Sequence, residues 1–502
     1  MRTCDLKTHY DTITVAIAII GMVFSHALMS LALIMMAIRT VFISKSTLKK
    51  TPKDILIVSL SFFILVCLGI LWSQNVNTAL AQLNKLLPFL VFPLYFFSID
   101  LPKEKSLKQL ASLYILTLFV ATCIGVYNLL NTENPDYRTI MPYCSHIRFA
   151  INLVLAVSFM TIYTYRNHKA LKKENIALLI FFILWFCIYL LISASLTGIC
   201  LILCIIVFFS IRYGLNNLTN RKSLIFFLIP FVLIMPFIHI ISVYAKDYFV
   251  PKDSVEKEMM IENGHYIYDN VDAEQLNMGL KKYLGKTEND KFESYSYTDI
   301  ALRYLNSKGL TKDLKGWSQL DSADLTNIKN GIPNYVYAEN NPIKERLYKI
   351  FFEIEAYRKQ GHVKGSSLIQ RLDLWYNSIE AIKQNILFGV GTGDATSEIE
   401  KQMRENNSQL QGEGLKSHNQ YISITLTFGI VGFIIFCIFL FYPLFRLNMN
   451  KNPYYSVFFL VFILSMFTED TFDNQAGIIL FCFWNFFFIK TEMEKRSLPI
   501  HA

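Results

Sequence analysis

Charge is what this sequence has least of. Only 17% of its 502 residues are Asp, Glu, Lys or Arg, against about a quarter in soluble domains. By contrast, 53% are hydrophobic and 15% aromatic. That balance excludes an ordinary soluble globular chain. Apolar runs long enough to cross a bilayer recur almost from end to end, as in NIALLIFFILWFCIYLLI from Asn175 and SLIFFLIPFVLIMPFIHIISV from Ser223. Apart from residues beside loops, these runs contain essentially no Asp, Glu, Lys or Arg. Proton- or sodium-coupled transporters need such groups near the membrane midplane, so the shortage argues against a pump or symporter.

Other things are missing too. The nine cysteines lie mostly in apolar runs, and none occurs between Cys204 and Cys437. The polar region inside that interval is therefore not stapled by disulfides. No HxxxH or HExxH spacing occurs, which leaves His146 and His418 without a metal-ligand pattern. No internal repeat or low-complexity tract is evident. The first apolar stretch, about Thr12 to Phe42, is too long for a signal peptide and lacks a cleavage-site pattern.

What is present fits a polytopic, all-α membrane protein. The Thr12–Phe42 stretch is also too long for one span and reads as two short helices turning near Phe24-Ser25-His26. The spans then number about twelve. With the N-terminus inside, every second short loop is basic. Lys45, Lys49, Lys50 and Lys53 come first, then Lys103, Lys105 and Lys108, then Arg166, Lys169, Lys172 and Lys173. Arg212, Arg221 and Lys222 follow, then Arg446 and Lys451, and finally Lys490, Lys495 and Arg496. Between them, Ser193-Ala194-Ser195 is uncharged and the turn from Glu469 to Ala476 is acidic. The positive-inside rule then places both termini in the cytoplasm, and the net charge of +9 needs no nucleic-acid partner. The chain divides into a transmembrane bundle over 1–243, an outer domain over 244–417 and a second bundle over 418–502. The outer segment is rich in tyrosine, unlike a disordered tether, and is expected to be mainly helical. Residues 250–365 carry no readable motif.

Three groups on the outer face could do chemistry. Leu368, Leu372, Trp375, Ile379, Ile382 and Ile386 alternate by four and three, an amphipathic stripe, and Arg371 sits on its edge. Arg371 is either an anion ligand or an arginine reaching towards lipid headgroups. Arg148 opens another span, and the same two readings apply. His418 stands where a long apolar run begins, and Ser417 or Asn419 can cap that helix. Within its first turn, the helix dipole would favour a neutral imidazole able to accept a proton. Ile422, Thr425, Gly429 and Gly432 continue below the histidine, and the glycines read as devices for close helix packing. The third group, Glu469, Asp470 and Asp473, either orients a sugar hydroxyl or an imidazole, or is a solvated turn.

Together these residues resemble the bacterial O-antigen ligase and polymerase family. HNQYISITLTFGIVG, from His418, is similar to the family signature of a histidine, then Asn, Ser or Gln, nine residues and a glycine pair. Arg371, Trp375 and Gly389-Val390-Gly391 resemble the pattern upstream of it. One stretch departs: where the family has Ser-x-Ser-Arg-Thr-Gly, this chain has SASLTG, with Leu196 in the arginine's place. The resemblance implies a GT-C-like fold in the bacterial inner membrane, with a large loop domain on the periplasmic face. It implies transfer of a glycan from undecaprenyl diphosphate to an acceptor hydroxyl, on a lipid A–core sugar in a ligase or a lipid-linked repeat in a polymerase. His418 would be the base, and Arg371 the main diphosphate ligand with Arg148 as a second. Asn419 and Glu469 would contact substrate. Arginines can carry the leaving-group charge, so neither metal nor cofactor is implied. A single displacement driven by His418 would invert the anomeric carbon. The intact histidine motif favours ligase over polymerase; a flippase would need a charged path that the spans lack.

Overall fold

The computed structural model describes residues 2–42, 48, 51–131, 143–193, 195–217, 225–254, 257–293, 295–339 and 341–497. Lys45, Lys49, Lys50, Ala194, Arg221 and Lys222 lie outside them. Among the described residues, nine helices are long and apolar enough to cross a membrane: Lys53–Trp72, Val76–Ser98, Glu104–Asn131, His146–Asn167, Lys173–Ile192, Leu196–Asn216, Ile225–Phe249, Gln420–Arg446 and Gln475–Arg496. Three apolar helices are shorter, Thr8–Phe24, His26–Val41 and Pro453–Ser465. The count of nine thus falls below the twelve expected, because these three are shorter than the roughly 20 residues a bilayer core requires.

The first two helices show how local chemistry sets a turn. The chain breaks at Ser25, where the sequence predicts it, and the Ser25 side chain accepts a hydrogen bond from the Leu28 amide. Gly21 lets the second helix fold back closely, since a Cβ there would lie 2.7 Å from the Met29 nitrogen. Arg39 closes the far end on Asp11 through two bonds of 3.0 and 3.1 Å, and the Tyr95 hydroxyl donates to the same carboxylate at 3.2 Å.

Compactness groups the chain into residues 1–205 with 371–502, and residues 206–370. This grouping takes Arg371–Ser417 together with the spanning helices, a criterion different from the side of the membrane. In the first unit, a cluster of phenylalanine rings joins five segments. Phe62, Phe89, Phe439, Phe472 and Phe481 stack, tilt or meet edge-on at 4.9 to 6.2 Å. Such pairs add to the packing beyond their buried area.

In the second unit, helices dominate and the strands are two-residue hairpins, Ile261–Glu262 with His265–Tyr266 and Lys291–Phe292 with Tyr295–Ser296. Trp317 is fully buried among Leu276, Leu280, Tyr304, Leu305 and Ile328. Its indole donates to the Leu276 carbonyl at 3.1 Å, so the polar edge of the ring is satisfied in the core. The Ile225–Phe249 helix buries none of its apolar window, as a helix surrounded by lipid would.

Candidate active site

The helix Gln420–Arg446 begins at Asn419, whose side chain accepts from the amides of Tyr421 at 3.0 Å and Ile422 at 3.2 Å. Asn419 is therefore a structural cap. His418 lies before this cap rather than in the first helical turn, with φ of +52°. A left-handed conformation costs a non-glycine residue about 1–2 kcal/mol, so something must hold it. The hold is Asp470. Its Oδ2 accepts the His418 amide at 2.8 Å and its Oδ1 accepts the Ser423 hydroxyl at 2.6 Å. Ser417 adds a further link, its hydroxyl 2.8 Å from that of Ser423. Burial pushes the Asp470 carboxyl above the usual range, against the hydrogen bond from Ser423. The His418 ring is half-buried and makes no hydrogen bond among the described residues, which leaves both of its nitrogens available.

Gly429, further along this helix, does something other than admit a neighbouring helix. Gly429 has φ of +66° and ψ of −170°, a break within the helix. An unbroken helix would bond the amides of Ile430 and Val431 to the carbonyls of Leu426 and Thr427. Instead the loop after the Arg371 helix inserts. Ile430 and Val431 donate to Ile386 at 2.9 Å and Leu387 at 3.3 Å, while Val390 and Gly391 donate to Leu426 at 3.0 Å and Thr427 at 2.9 Å. The two lost helical bonds are thus replaced by four, as backbone at membrane depth demands. A Cβ on Gly429 would lie 2.2 Å from the Leu387 carbonyl oxygen, and one on Gly389 would lie 2.5 Å from the Gly429 nitrogen. The loop is pinned further on by Asp394, which accepts from the Ser73 hydroxyl and Gln74 amide at 2.6 Å and the Asn75 amide at 3.0 Å.

Insertion of this loop fixes the C-terminal end of the helix that carries Arg371, Ser367–Gln384. Its buried face is made by Leu374, Asn377, Ser378 and Ala381, whereas Leu372, Ile379 and Ile386 of the predicted stripe are exposed. Arg371 does not extend along that stripe. Its Nη2 donates to Glu469 Oε1 at 2.8 Å. Arg148, from the first turn of His146–Asn167, donates from Nη1 to Glu469 Oε2 at 3.2 Å and to the Ser145 hydroxyl at 3.3 Å. Both arginines therefore point inward to one carboxylate, and the lipid-headgroup reading does not describe either. The acidic turn is not a solvated one either, since Glu469 and Asp470 are 7% and 6% exposed. Two guanidinium groups against one carboxylate leave a net charge of +1, with Arg371 the more accessible of the pair.

Consecutive residues link the two constellations: Glu469 holds the arginines and Asp470 holds the His418 backbone. Nearby, Asp473 pairs with both Lys416 and Lys85. His146 is turned elsewhere, its Nε2 3.2 Å from the Ser193 carbonyl. Leu196 starts the helix Leu196–Asn216, and Gly198 two residues on packs against Ala150 of the Arg148 helix. Among the described residues, no group of three or more His, Cys, Asp or Glu is placed to hold a metal ion. Sequence reasoning named Asp470 in a group that could orient an imidazole but missed its bond to the His418 amide, and it missed the break at Gly429 and the Asp394 anchor. Dense glycine in GVGTGD is the one local sign of the last two.

No curated protein matches this chain. The family profile described as O-antigen ligase matches residues 153–437, more than half of the sequence. The match spans Arg371, the inserted loop, His418 and Gly429, and begins just after Arg148. With nine helices able to cross a membrane among the described residues, this is a multi-pass membrane protein, and it belongs to the O-antigen ligase family.

Proposed function

We propose that the protein transfers a glycan from undecaprenyl diphosphate to an acceptor hydroxyl on the periplasmic face of the bacterial inner membrane. In this reading the three shorter apolar helices also cross, giving about twelve spans, and both termini are cytoplasmic. Residues 244–417 form the outer segment. The observation that carries the proposal is the pair of arginines on a single buried carboxylate, one residue from the group that fixes His418.

The donor's diphosphate would meet Arg371 first, with Arg148 behind it, since planar guanidinium groups match phosphate oxygens in geometry and charge. Glu469 then acts as a resident counter-anion that keeps the two cations together until the diphosphate arrives. His418 takes the proton from the acceptor hydroxyl. The acceptor oxygen attacks the anomeric carbon while the bond from that carbon to the diphosphate oxygen breaks. Undecaprenyl diphosphate leaves with the bonding electrons, and the configuration inverts. The left-handed turn at His418, held by Asp470, would fix the direction of the imidazole for this task.

His418→Ala and Arg371→Ala test the mechanism in a strain lacking the native gene, with membrane abundance measured beside glycan transfer. Both variants should reach the membrane at normal levels and transfer little or no glycan. Normal transfer by well-expressed variants would overturn the assignment. The product distinguishes the acceptor. A ligase defect leaves polymer on its lipid carrier and none on the core, as we expect, whereas a polymerase defect leaves single repeats on the core.

A further inference from the structure

Beside Asp470 lies a half-open cleft of about 90 Å³, room for several water molecules. Phe62, Phe428 and Phe472 give it an apolar surface. Hydroxyl and amide groups supply the rest, among them Thr78, Gln82, Thr396 and Gln420. The Gln420 side chain is the most telling. It is 4% exposed, and its Oε1 accepts the Phe472 amide at 2.7 Å. Its Nε2 donates to nothing among the described residues and is not sealed off by the protein around it, so it is free to meet a ligand in the cleft that Gln420 lines. The side chains of Thr78, Gln82 and Thr396 are also without a hydrogen-bond partner among the described residues.

The charges here are already used. Lys416 is paired with Asp473, and Asp470 is occupied by the His418 amide and the Ser423 hydroxyl. A ligand therefore meets neutral donors and acceptors beside aromatic rings. That chemistry suits an uncharged, hydroxyl-rich ring with an apolar C–H face, and offers a free phosphate no unpaired cation. We infer that this cleft is a subsite for a neutral sugar residue, an assignment that rests on glycan transfer at the adjoining site. The Gly429 break helps to form it, because Thr427 and Phe428 at the break and Thr392 and Gly393 of the inserted loop all face the cleft.

The sugar could come from the acceptor or from the lipid-linked donor, and binding separates the two. The probes are the core oligosaccharide released from lipid A by mild acid and the repeat-unit oligosaccharide freed of its lipid diphosphate. Saturation-transfer NMR with the full-length protein in detergent gives the affinity for each. Gln82→Ala combined with Thr396→Val removes groups that hold no protein partner, so the fold should be retained. We expect the double variant to bind a probe about fivefold more weakly or worse, as for the loss of one or two neutral hydrogen bonds. A loss confined to the core oligosaccharide assigns the cleft to the acceptor, and one confined to the repeat unit assigns it to the lipid-linked glycan. Unchanged affinity for both probes, or no binding of either by the unaltered protein, overturns the inference. His418→Ala should bind both probes normally, so failure of the transfer mechanism and failure of the subsite give different results.

Discussion

Two of the clusters in which arginine meets a buried carboxylate differ in their balance of charge. In the 206–370 unit, Arg303 makes two bonds to Glu262, at 2.8 and 3.1 Å, and Asn334 donates a third at 2.7 Å. Glu262 is wholly buried, and the Arg303 guanidinium lies 3.4 Å from the centre of the Phe352 ring. Burial works against the charge of Arg303, but Glu262 outweighs it and holds the guanidinium above its usual pKa. One cation faces one anion there, and the carboxylate is saturated. At the candidate site, two cations share Glu469 through one bond each, and donors remain for something else. The comparison shows that burial alone does not distinguish structure from function. A matched pair completes the fold, while an excess of one charge is what the proposed diphosphate site requires.

Breaking the matched pair should have the largest effect on stability. Arg303→Met leaves Glu262 buried and unpaired, and should cost about 3–5 kcal/mol, read as a lower thermal midpoint in detergent. Transfer per folded molecule should change little by comparison. Arg371→Ala should do the reverse. Glu469 keeps Arg148, so stability should fall by about 1 kcal/mol or less. Transfer should fall roughly a hundredfold or more, as when a group stabilising the leaving charge is lost. If Arg371→Ala proves as unstable as Arg303→Met, the two clusters are of one kind. The smallest and sharpest change is Glu469→Gln. It keeps most of the side chain's shape but removes the counter-anion, and should tighten binding of inorganic pyrophosphate by about fivefold, equivalent to ~1 kcal/mol. Weaker pyrophosphate binding would instead show that the carboxylate is needed to space the guanidinium groups.

Much of this was legible because hydrophobic length and charge alternation are local properties. The break at Ser25, the cap at Asn419 and the run of apolar helices all follow from neighbouring residues. Arg371 and Arg148 could be singled out as arginines beside apolar faces, but their partner could not be named. Glu469 lies 98 positions from one and 321 from the other. The stripe ending at Ile386 was visible as a period, yet periodicity does not say which face turns to protein. Gly429 illustrates the same limit. Its spacing from Gly432 fits helix packing, whereas its positive φ exists because a loop some forty residues earlier enters the helix there.

By itself, then, the sequence determined the membrane class, the ends of helices and the residue types that could do chemistry. These are decided by transfer of apolar side chains and by bonds a few residues long. Tertiary structure alone decided that two arginines share one carboxylate, that Asp470 holds His418 outside its helix, and that a glycine breaks that helix to admit a loop. Each depends on groups far apart in the chain, whose cost of burial is met only when folding brings their partners within bonding distance.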